Sequence, residues 1–372
     1  MADPLQPPIP FYDLAAEHDL LRAPLDAAYR RVMDNAWFIL GPELRAFESE
    51  FAAHCQTRHA LGVGNGLDAL TLALRALNIG PGDEVVVPAH TFVATWLAVL
   101  AVGATPVACE PAPGRTNIDA ITVAPQINAR TKAVITVHLY GLPADPVGLA
   151  TLCAAHGLPL IEDAAQAHGA TSQGRTIGSF GRLGCFSFYP TKNLGALGDG
   201  GAIVTSDDDL ADRLSLLRNY GAREKYHTDE IGANSRLDEL QAAFLRVKLG
   251  HLAATTAKRR AVATRYMENL ASLPDLALPR IADGDAPAWH LFALRSTRRD
   301  ALRAALTANG IATGLHYPVP VYRNGPFAAF APPHETESDR ISQQTLSLPL
   351  WPSLSSGHID RICAVICNFH AT

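Results

Sequence analysis

Short apolar runs alternate with helical segments between residues 60 and 206, and no other feature restricts the fold of this chain as strongly. The runs are ALGVG (60–64), EVVVP (84–88), TPVAC (105–109), KAVITV (132–137), LPLIED (158–163), LGCFSF (183–188) and GAIVTS (201–206). Successive apolar residues are typical of strands buried on both faces, and strand–helix–strand order predicts a mainly parallel sheet in an α/β domain. Such sheets bind ligands at the carboxyl ends of their strands, so functional residues are expected there.

The C-terminal part of the chain has a different pattern, which is mostly helical and then gives way to a smaller unit. Ser235 is predicted to cap a long helix, and Gly250 separates that helix from the next helical segment. We therefore expect a large domain of residues 1–250, which begins with a Pro-rich arm up to about Pro10, and a small C-terminal α/β domain of residues 251–372.

Composition and charge exclude several classes of protein. Lysine and arginine number 31 against 36 acidic residues, for a formal charge of −5, so neither nucleic acid nor an anionic membrane is an expected partner. The longest apolar stretch is interrupted by Gly103 and Pro106 and is shorter than the roughly 20 residues that span a bilayer. With no CxxC or HExxH motif and no visible secretory signal, the sequence predicts a cytoplasmic protein without a bound metal.

The glycine-rich sequence GVGNGLD (62–68) leads from a predicted strand directly into a helix. Glycines allow the sharp turn, and the free N–H groups of a helix N-terminus attract a phosphate. Taken alone, the sequence is equally compatible with a plain strand-to-helix turn. Leu67 occupies the third glycine position of the dinucleotide fingerprint G-x-G-x-x-G, which makes a dinucleotide-dependent oxidoreductase a poor alternative.

Asp163 and Lys192 follow two further predicted strands. An acid that closes an apolar strand must be paired or solvated, and alone Asp163 would simply cap a helix. Alone, Lys192 would be a solvated surface charge, whereas a lysine in a partly dry site loses its proton and forms a Schiff base. A phosphate-binding turn, an acid and, 29 residues later, a lysine are together the parts that pyridoxal 5'-phosphate chemistry requires.

Five motifs occur in order along the chain: GNGLDAL, PAHTFVAT, EDAAQAHGA, SFYPTKNLGALGDGG and NSRLDELQAA. On these motifs the chain resembles the sugar aminotransferases of the DegT/DnrJ/EryC1/StrS family from residue 11 to about residue 352. The resemblance implies the fold type I architecture of pyridoxal-phosphate transferases, with a mainly parallel, helix-flanked sheet in the large domain and a smaller C-terminal α/β domain. It also implies pyridoxal 5'-phosphate as the cofactor and a homodimer whose subunits share their active sites.

The resemblance further implies roles for individual residues. Lys192 would bind the cofactor covalently and transfer protons, and Asp163 would pair with the ring nitrogen. The other residues assigned to the cofactor are Gln166 at the ring hydroxyl, Phe92 on the ring face, Gly66, Leu67, Asp68 and Ser187 at the phosphate, and Asn234 reaching that phosphate from the partner subunit. Those assigned to the substrate are Tyr189, Arg223, His316 and Tyr317. The family's dehydratase branch carries a histidine in place of the lysine, so Lys192 favours amino transfer.

The family's substrates are nucleotide-linked ketosugars, and its amino donor is usually L-glutamate, which implies a ping-pong reaction through pyridoxamine phosphate. Segments 90–99, 218–227 and 232–249 are similar to enzymes that aminate C3 of dTDP-linked 3-keto-6-deoxyhexoses, so a 3-amino sugar is the expected product. The alternatives are a C4 aminotransferase acting on a UDP-, GDP- or dTDP-4-keto-6-deoxyhexose, and a regulatory protein that binds the cofactor without turnover. The candidates for contact with the diphosphate are the positive side chains of Arg218, Arg223 and Lys225.

Overall fold

The computed structural model describes residues 7–224 and 226–371. The α-helices of those residues are α1 (Leu14–Asp19), α2 (Arg22–Asn35), α3 (Pro42–His54), α4 (Gly66–Ala76), α5 (Ala94–Ala101), α6 (Ala120–Val123), α7 (Pro146–Ala155), α8 (Asp208–Leu217), α9 (Glu239–Leu249), α10 (Leu252–Leu270), α11 (Arg299–Ala308), α12 (Glu337–Gln344) and α13 (Ser356–Ala371). The strands are β1 (His59–Val63), β2 (Glu84–Pro88), β3 (Thr105–Cys109), β4 (Thr131–Val137), β5 (Leu160–Asp163), β6 (Thr171–Ser172), β7 (Arg175–Thr176), β8 (Leu183–Ser187), β9 (Gly201–Thr205), β10 (Ala222–Glu224), β11 (His227–Thr228), β12 (Leu276–Ala277), β13 (Asp285–Ala286), β14 (Phe292–Ser296) and β15 (Thr345–Leu348).

A seven-stranded sheet forms the centre of the larger unit, in the order β1-β9-β8-β5-β4-β2-β3. The strands from β8 to β3 in this order are parallel, whereas β9 pairs antiparallel with both β1 and β8. All seven predicted apolar runs lie in this sheet, and their ends differ from the predicted ones by at most two residues. The prediction of a mainly parallel central sheet is confirmed.

Strand β2 shows why these runs are continuously apolar. Successive side chains of a strand point to opposite faces of the sheet. Val85 and Val87 pack into the core cluster that contains helix α4, whereas Val86 packs with Val134 and Leu149 on the other face. Because helices cover both faces, the interior of the strand is apolar at every position.

The carboxyl ends of β4, β5 and β8 lie side by side at one edge of the sheet. Asp163, the last residue of β5, is in register with Val137 at the end of β4 and with Cys185 in β8. The loops that follow these parallel strands therefore meet at the same edge, where an open α/β sheet presents its binding site.

The C-terminal part forms its own three-stranded antiparallel sheet, in the order β12-β14-β15. Its apolar core contains residues of α10, α11 and α13, and it extends to Val137, Leu139 and Tyr140 of the larger unit. The two units thus share packed side chains next to the carboxyl edge of the central sheet. No helix in the described ranges is long and apolar enough to cross a membrane.

Two expectations from the sequence are wrong. Ile9, expected in an arm outside the core, is fully buried and pairs with Ile311. Burial of its apolar side chain against the C-terminal core is favourable because it removes apolar surface from water. Ser235 does not cap a helix, since α9 begins only at Glu239. The Ser235 hydroxyl instead donates to Oδ2 of Asp68 at 2.6 Å and accepts from a backbone N–H of the glycine-rich turn at 2.9 Å.

Candidate active site

Lys192 lies in the turn after β8, where its backbone N–H donates to the carbonyl of Tyr189 at 2.8 Å. Burial lowers the pKa of its ammonium group to about 8, although the carboxylate of Asp163 acts in the opposite direction. Near neutral pH an appreciable fraction of such lysines carries no charge, and only the neutral amine is a nucleophile. Lys192 is therefore suited to bond a carbonyl carbon and to accept a proton.

Asp163 closes β5 and is 6% exposed. Its Oδ2 accepts a hydrogen bond from the hydroxyl of Thr95 at 2.9 Å, and Oδ1 accepts one from the N–H of Ala165 at 3.2 Å. Burial raises the pKa of this carboxyl group, whereas the two hydrogen bonds and the charge of Lys192 lower it. A buried carboxylate of this kind is stabilised by a cation beside it, and a protonated ring nitrogen would be such a cation.

The turn from β1 into α4 presents free backbone N–H groups. Asn65 caps the helix, since its Oδ1 accepts from the N–H of Asp68 at 2.8 Å. The N–H of Asp68, which was expected to bind the phosphate, is therefore already bonded within the chain. The N–H groups of Gly66 and Leu67 have no partner among the residues described and are the donors left for an anion. A Cβ at Gly66 would lie 2.6 Å from Cβ of Ser187, so only glycine allows the turn to approach the end of β8 this closely.

Gln166, Tyr317 and Phe92 come together from three distant parts of the chain. Nε2 of Gln166 donates to the hydroxyl of Tyr317 at 3.1 Å, and the rings of Tyr317 and Phe92 have centroids 5.5 Å apart. The ring of Phe92 is 52% exposed. An exposed aromatic face beside an amide donor is able to stack against a planar ligand that carries a hydroxyl group.

Three histidines lie close enough to Lys192 for its charge to affect their pKa values. Burial is the largest cause that lowers the pKa of His168, to about 3, and of His316, to about 4, and the charge of Lys192 lowers both further. The same two causes lower the pKa of His290. All three imidazoles are therefore neutral at pH 7. Asp163 is the carboxylate that acts on Lys192 in this cluster.

Three other predicted residues are less directly connected to this cluster. Tyr189 belongs to the same turn as Lys192, and its ring is 54% exposed. Asn234 is exposed. Arg223 is exposed and lies 3.8 Å from the carboxylate of Asp229, and no described contact joins it to Lys192 or Asp163. These side chains are accessible, but no described contact within a single chain assigns them a role in the site.

Arg218 is not available to bind a diphosphate, so this expectation from the sequence is wrong. Its guanidinium is buried, donates to the carbonyl of Gly62 at 2.8 Å and forms an ion pair with Glu48. The reason is structural, because a buried guanidinium needs acceptors and these partners supply them. Lys225, the third candidate, lies outside the described residues.

Thr95 and Tyr140 contact the site, yet sequence reasoning did not identify them. Thr95 ends the motif PAHTFVAT and donates to Asp163, and its place in that motif was the only signal available. Tyr140 is 1% exposed, and its backbone N–H donates to Oε1 of Gln166 at 2.6 Å. Nothing near Tyr140 in the sequence indicates this contact.

The residues present fit pyridoxal 5'-phosphate. The unpartnered N–H groups of Gly66 and Leu67 suit its phosphate, and the buried carboxylate of Asp163 suits its ring nitrogen. Lys192 would supply the amine that bonds its aldehyde, and Phe92 would supply an exposed aromatic face.

Comparison with known proteins agrees with this fit. The model of the DegT/DnrJ/EryC1/StrS aminotransferase family matches residues 21–367. The chain is 53% identical over 358 residues to the dTDP-3-amino-3,4,6-trideoxy-alpha-D-glucose transaminase of Streptomyces venezuelae, covering 96% of this chain and 94% of that protein. It is 47% identical over 358 residues to the UDP-N-acetyl-3-dehydro-alpha-D-glucosamine 3-aminotransferase of Acidithiobacillus ferrooxidans, covering 96% and 97% respectively.

The fold is also that of a solved relative. The crystal structure of DesV from S. venezuelae superimposes with a TM-score of 0.97 at 50% sequence identity, covering 99% of this chain and 100% of that one. Over the whole described fold, the two chains share one architecture.

Proposed function

The chain belongs to the DegT/DnrJ/EryC1/StrS aminotransferase family of pyridoxal-phosphate enzymes, and from this premise we propose that it aminates C3 of a dTDP-linked 3-keto-6-deoxyhexose with L-glutamate as the donor. The observation that carries the aminotransferase part of the proposal is the placement of Asp163 at the end of β5 and of Lys192 in the turn after the neighbouring strand β8, both at the carboxyl edge of the sheet. Two relatives with 53% and 47% identity bear names that describe 3-amino or 3-aminotransferase chemistry, and these names support C3 over C4. The first of them carries dTDP in its name and the second UDP, so the dTDP assignment follows the more similar relative.

Amino transfer requires proton movement between the donor carbon and the cofactor, and Lys192 is the group placed to provide it. The cofactor, when bound, supplies an electron-withdrawing ring and a carbonyl carbon that takes up the amino group. Asp163 would keep a proton on the ring nitrogen of the bound cofactor, and the hydroxyl of Thr95 holds Oδ2 of that carboxylate in place. Nζ of Lys192 would accept and return that proton as a free amine, and its pKa of about 8 lies close to neutral pH.

We also propose that two copies of the chain form a homodimer with shared sites. Trp37, Phe38 and Ile39 form an exposed apolar segment, with 53%, 45% and 41% exposure. Phe92 and Tyr189, both beside the site, are more than half exposed as well. Large apolar side chains of this kind mark a surface that a second protein covers. We propose the cytoplasm as the compartment, since the proposed substrate and donor are metabolites found there.

Absorption spectroscopy tests the cofactor and the donor. The protein loaded with pyridoxal 5'-phosphate should show the long-wavelength band of a lysine-bound cofactor and lose it when L-glutamate is added. Lys192→Ala should lack the band, whereas Lys132→Ala, a change at an exposed lysine of β4, should retain it. A band that stays unchanged when any amino donor is added would instead support the regulatory alternative.

A product assay tests the regiochemistry. The loaded enzyme is incubated with glutamate and either a dTDP-3-keto- or a dTDP-4-keto-6-deoxyhexose, and the amine is located by mass spectrometry and NMR. We expect the 3-amino sugar from the first substrate and no product from the second. Product from the 4-keto sugar alone would overturn the C3 assignment and leave the aminotransferase assignment standing.

Subunit mixing tests the shared sites. Lys192→Ala and Asn234→Ala subunits are each expected to be impaired, and in a mixed dimer of shared sites one site carries both changes and the other carries neither. Random mixing should then restore about a quarter of the wild-type activity, because half of the dimers each contain one intact site. Sedimentation as a monomer, or no recovery on mixing, would contradict the proposal.

A further inference from the structure

Tyr140 lies between the residues assigned to the cofactor and those assigned to the substrate. It follows β4 in a left-handed backbone conformation, with φ near 63°, and its side chain is 1% exposed. Its backbone N–H donates to Oε1 of Gln166 at 2.6 Å, and its hydroxyl donates to the backbone carbonyl of His316. One residue thus contacts both sides of the site through separate groups.

The backbone contact determines the orientation of the Gln166 amide. An N–H group only donates, so the Gln166 atom that faces Tyr140 is the oxygen Oε1. The amide nitrogen Nε2 must then face the other way, where it donates to the hydroxyl of Tyr317 at 3.1 Å. In the opposite orientation, Gln166 would present an acceptor to the site in place of a donor.

The side-chain contact belongs to a hydrogen-bonded chain with one possible direction. A carbonyl oxygen only accepts, so the Tyr140 hydroxyl donates its single proton to the carbonyl oxygen of His316. The same hydroxyl must then accept from Nε2 of His90, which lies 3.0 Å away. Burial lowers the pKa of His90 to about 4, so this imidazole is neutral and has an acceptor at Nδ1. The hydroxyl of Ser342 lies 3.5 Å from that nitrogen. The chain connects α12, the end of β2 and the loop of His316.

We propose that Tyr140 is a positioning residue that holds the segment Leu315–Tyr317 against the site through its hydroxyl while its backbone N–H orients Gln166. The inference rests on the proposed function, because that function makes this segment part of the substrate site. The two contacts are separable by mutation, since replacement of the side chain leaves the backbone N–H in place. Loss of the hydroxyl should therefore affect mainly the substrate segment, and cofactor binding should change little because the backbone N–H still holds Oε1 of Gln166.

Tyr140→Phe tests the side-chain contact. We expect the KM for the ketosugar nucleotide to rise about tenfold, which corresponds to one lost buried hydrogen bond. The affinity for pyridoxal 5'-phosphate, the absorption of the bound cofactor and the rate of the glutamate half-reaction should stay within about twofold of wild type. A general loss of structure would change all of these quantities together.

Tyr266→Phe is the matched control. Tyr266 is also a fully buried tyrosine whose hydroxyl donates to a backbone carbonyl, that of Pro349 at 2.9 Å, but it lies on α10 and this bond joins no residue assigned to the cofactor or the substrate. Its loss should cost similar stability and leave the KM unchanged. An equal rise in KM for both variants, or no rise for Tyr140→Phe, would overturn the inference.

Hydrogen–deuterium exchange provides a measurement that needs neither substrate nor turnover. In the loaded enzyme, Tyr140→Phe should increase exchange in the peptide that contains Leu315–Tyr317, and Tyr266→Phe should not. If Tyr140→Phe does not fold, His90→Leu removes the N–H that orients the Tyr140 hydroxyl toward His316 and should produce a smaller increase in the same peptide, and His90→Gln, which keeps an N–H donor, should not. Unchanged exchange in the folded Tyr140→Phe or His90→Leu variant refutes the inference, whereas failure of wild-type amino transfer alone refutes only the proposed function.

Discussion

The hydroxyl of Thr95 donates a hydrogen bond of 2.9 Å to Oδ2 of Asp163, and it does so inside a core that excludes water. The Oγ1 atom of Thr91 lies 3.1 Å from that of Thr95, so the donor is itself held in place. A hydrogen bond to an ionised acceptor is stronger than one between neutral groups. This hydrogen bond therefore stabilises the charged form of Asp163, the acid proposed to pair with the ring nitrogen of the cofactor.

Thr95→Val should weaken this control of Asp163. Without the hydroxyl, the pKa of the carboxyl group rises further, because burial, its largest cause, is then opposed by fewer hydrogen bonds. We expect kcat to fall about tenfold and the spectral titration of the bound cofactor to shift. Thr136→Val is the control, since the Oγ1 atom of Thr136 is buried and has no partner in the described chain. Equal kinetics for both variants would show that Thr95 does not act on Asp163.

Lys192→Met should stabilise the apoenzyme at pH 7. The folded-state pKa of about 8 lies below the ordinary value of 10.5, so folding is opposed by the charged lysine wherever the pH is below both values. The penalty is at most about 3 kcal/mol and disappears as the pH rises from 8 to 10.5. Urea unfolding should show that the variant has a larger free energy of unfolding than the wild type at pH 7, and that this difference is smaller at pH 10. The lowered pKa of Lys248 changes the stability of both proteins over the same pH range, so it does not affect the difference between them. An advantage that is equal at the two pH values would contradict the assignment.

Gly66→Ala should impair cofactor binding. The new Cβ would lie 2.6 Å from Cβ and 3.2 Å from Cα of Ser187, so the turn into α4 must move. We expect the Kd for pyridoxal 5'-phosphate, measured by fluorescence titration, to rise at least tenfold as the N–H groups lose alignment. Gly357→Ala, in α13 with nothing within 4 Å, should leave the Kd unchanged and be neutral or slightly stabilising. Wild-type affinity in Gly66→Ala would show that this turn does not bind the phosphate.

Glu239→Ala should lower the free energy of unfolding by about 3 kcal/mol, because a buried carboxylate that satisfies several donors is removed. Oε1 of Glu239 accepts from the N–H groups of Gly41 at 2.7 Å and Leu44 at 2.9 Å, and Oε2 accepts from that of Glu43 at 2.9 Å. These bonds join the start of α3 to α9. Asp238→Ala, at an exposed position with no side-chain bond to the helix, should change stability by less than about 0.5 kcal/mol in the same urea titration. A small loss for Glu239→Ala would mean that water replaces the carboxylate.

The sequence by itself determined the elements that depend on local patterns. Apolar runs such as EVVVP predicted strands because a strand covered on both faces has no place for polar side chains. Asp163 and Lys192 were identifiable because the first ends such a strand and the second lies in the turn after another, and the carboxyl ends of parallel strands meet at one edge. The glycine turn before α4 was identifiable because glycine permits the backbone geometry of that turn.

Only the tertiary structure decided which distant groups meet. The partner of Asp163 is 68 residues away, and those of Ser235 and Tyr140 are 167 and 176 residues away. Ser235 therefore serves the glycine turn and not the helix that its own neighbours predict, and Arg218 is buried with Glu48, 170 residues away. Hydrogen bonds and ion pairs depend on positions in space. Folding brings residues that are distant in the sequence to those positions, and no local sequence pattern marks them.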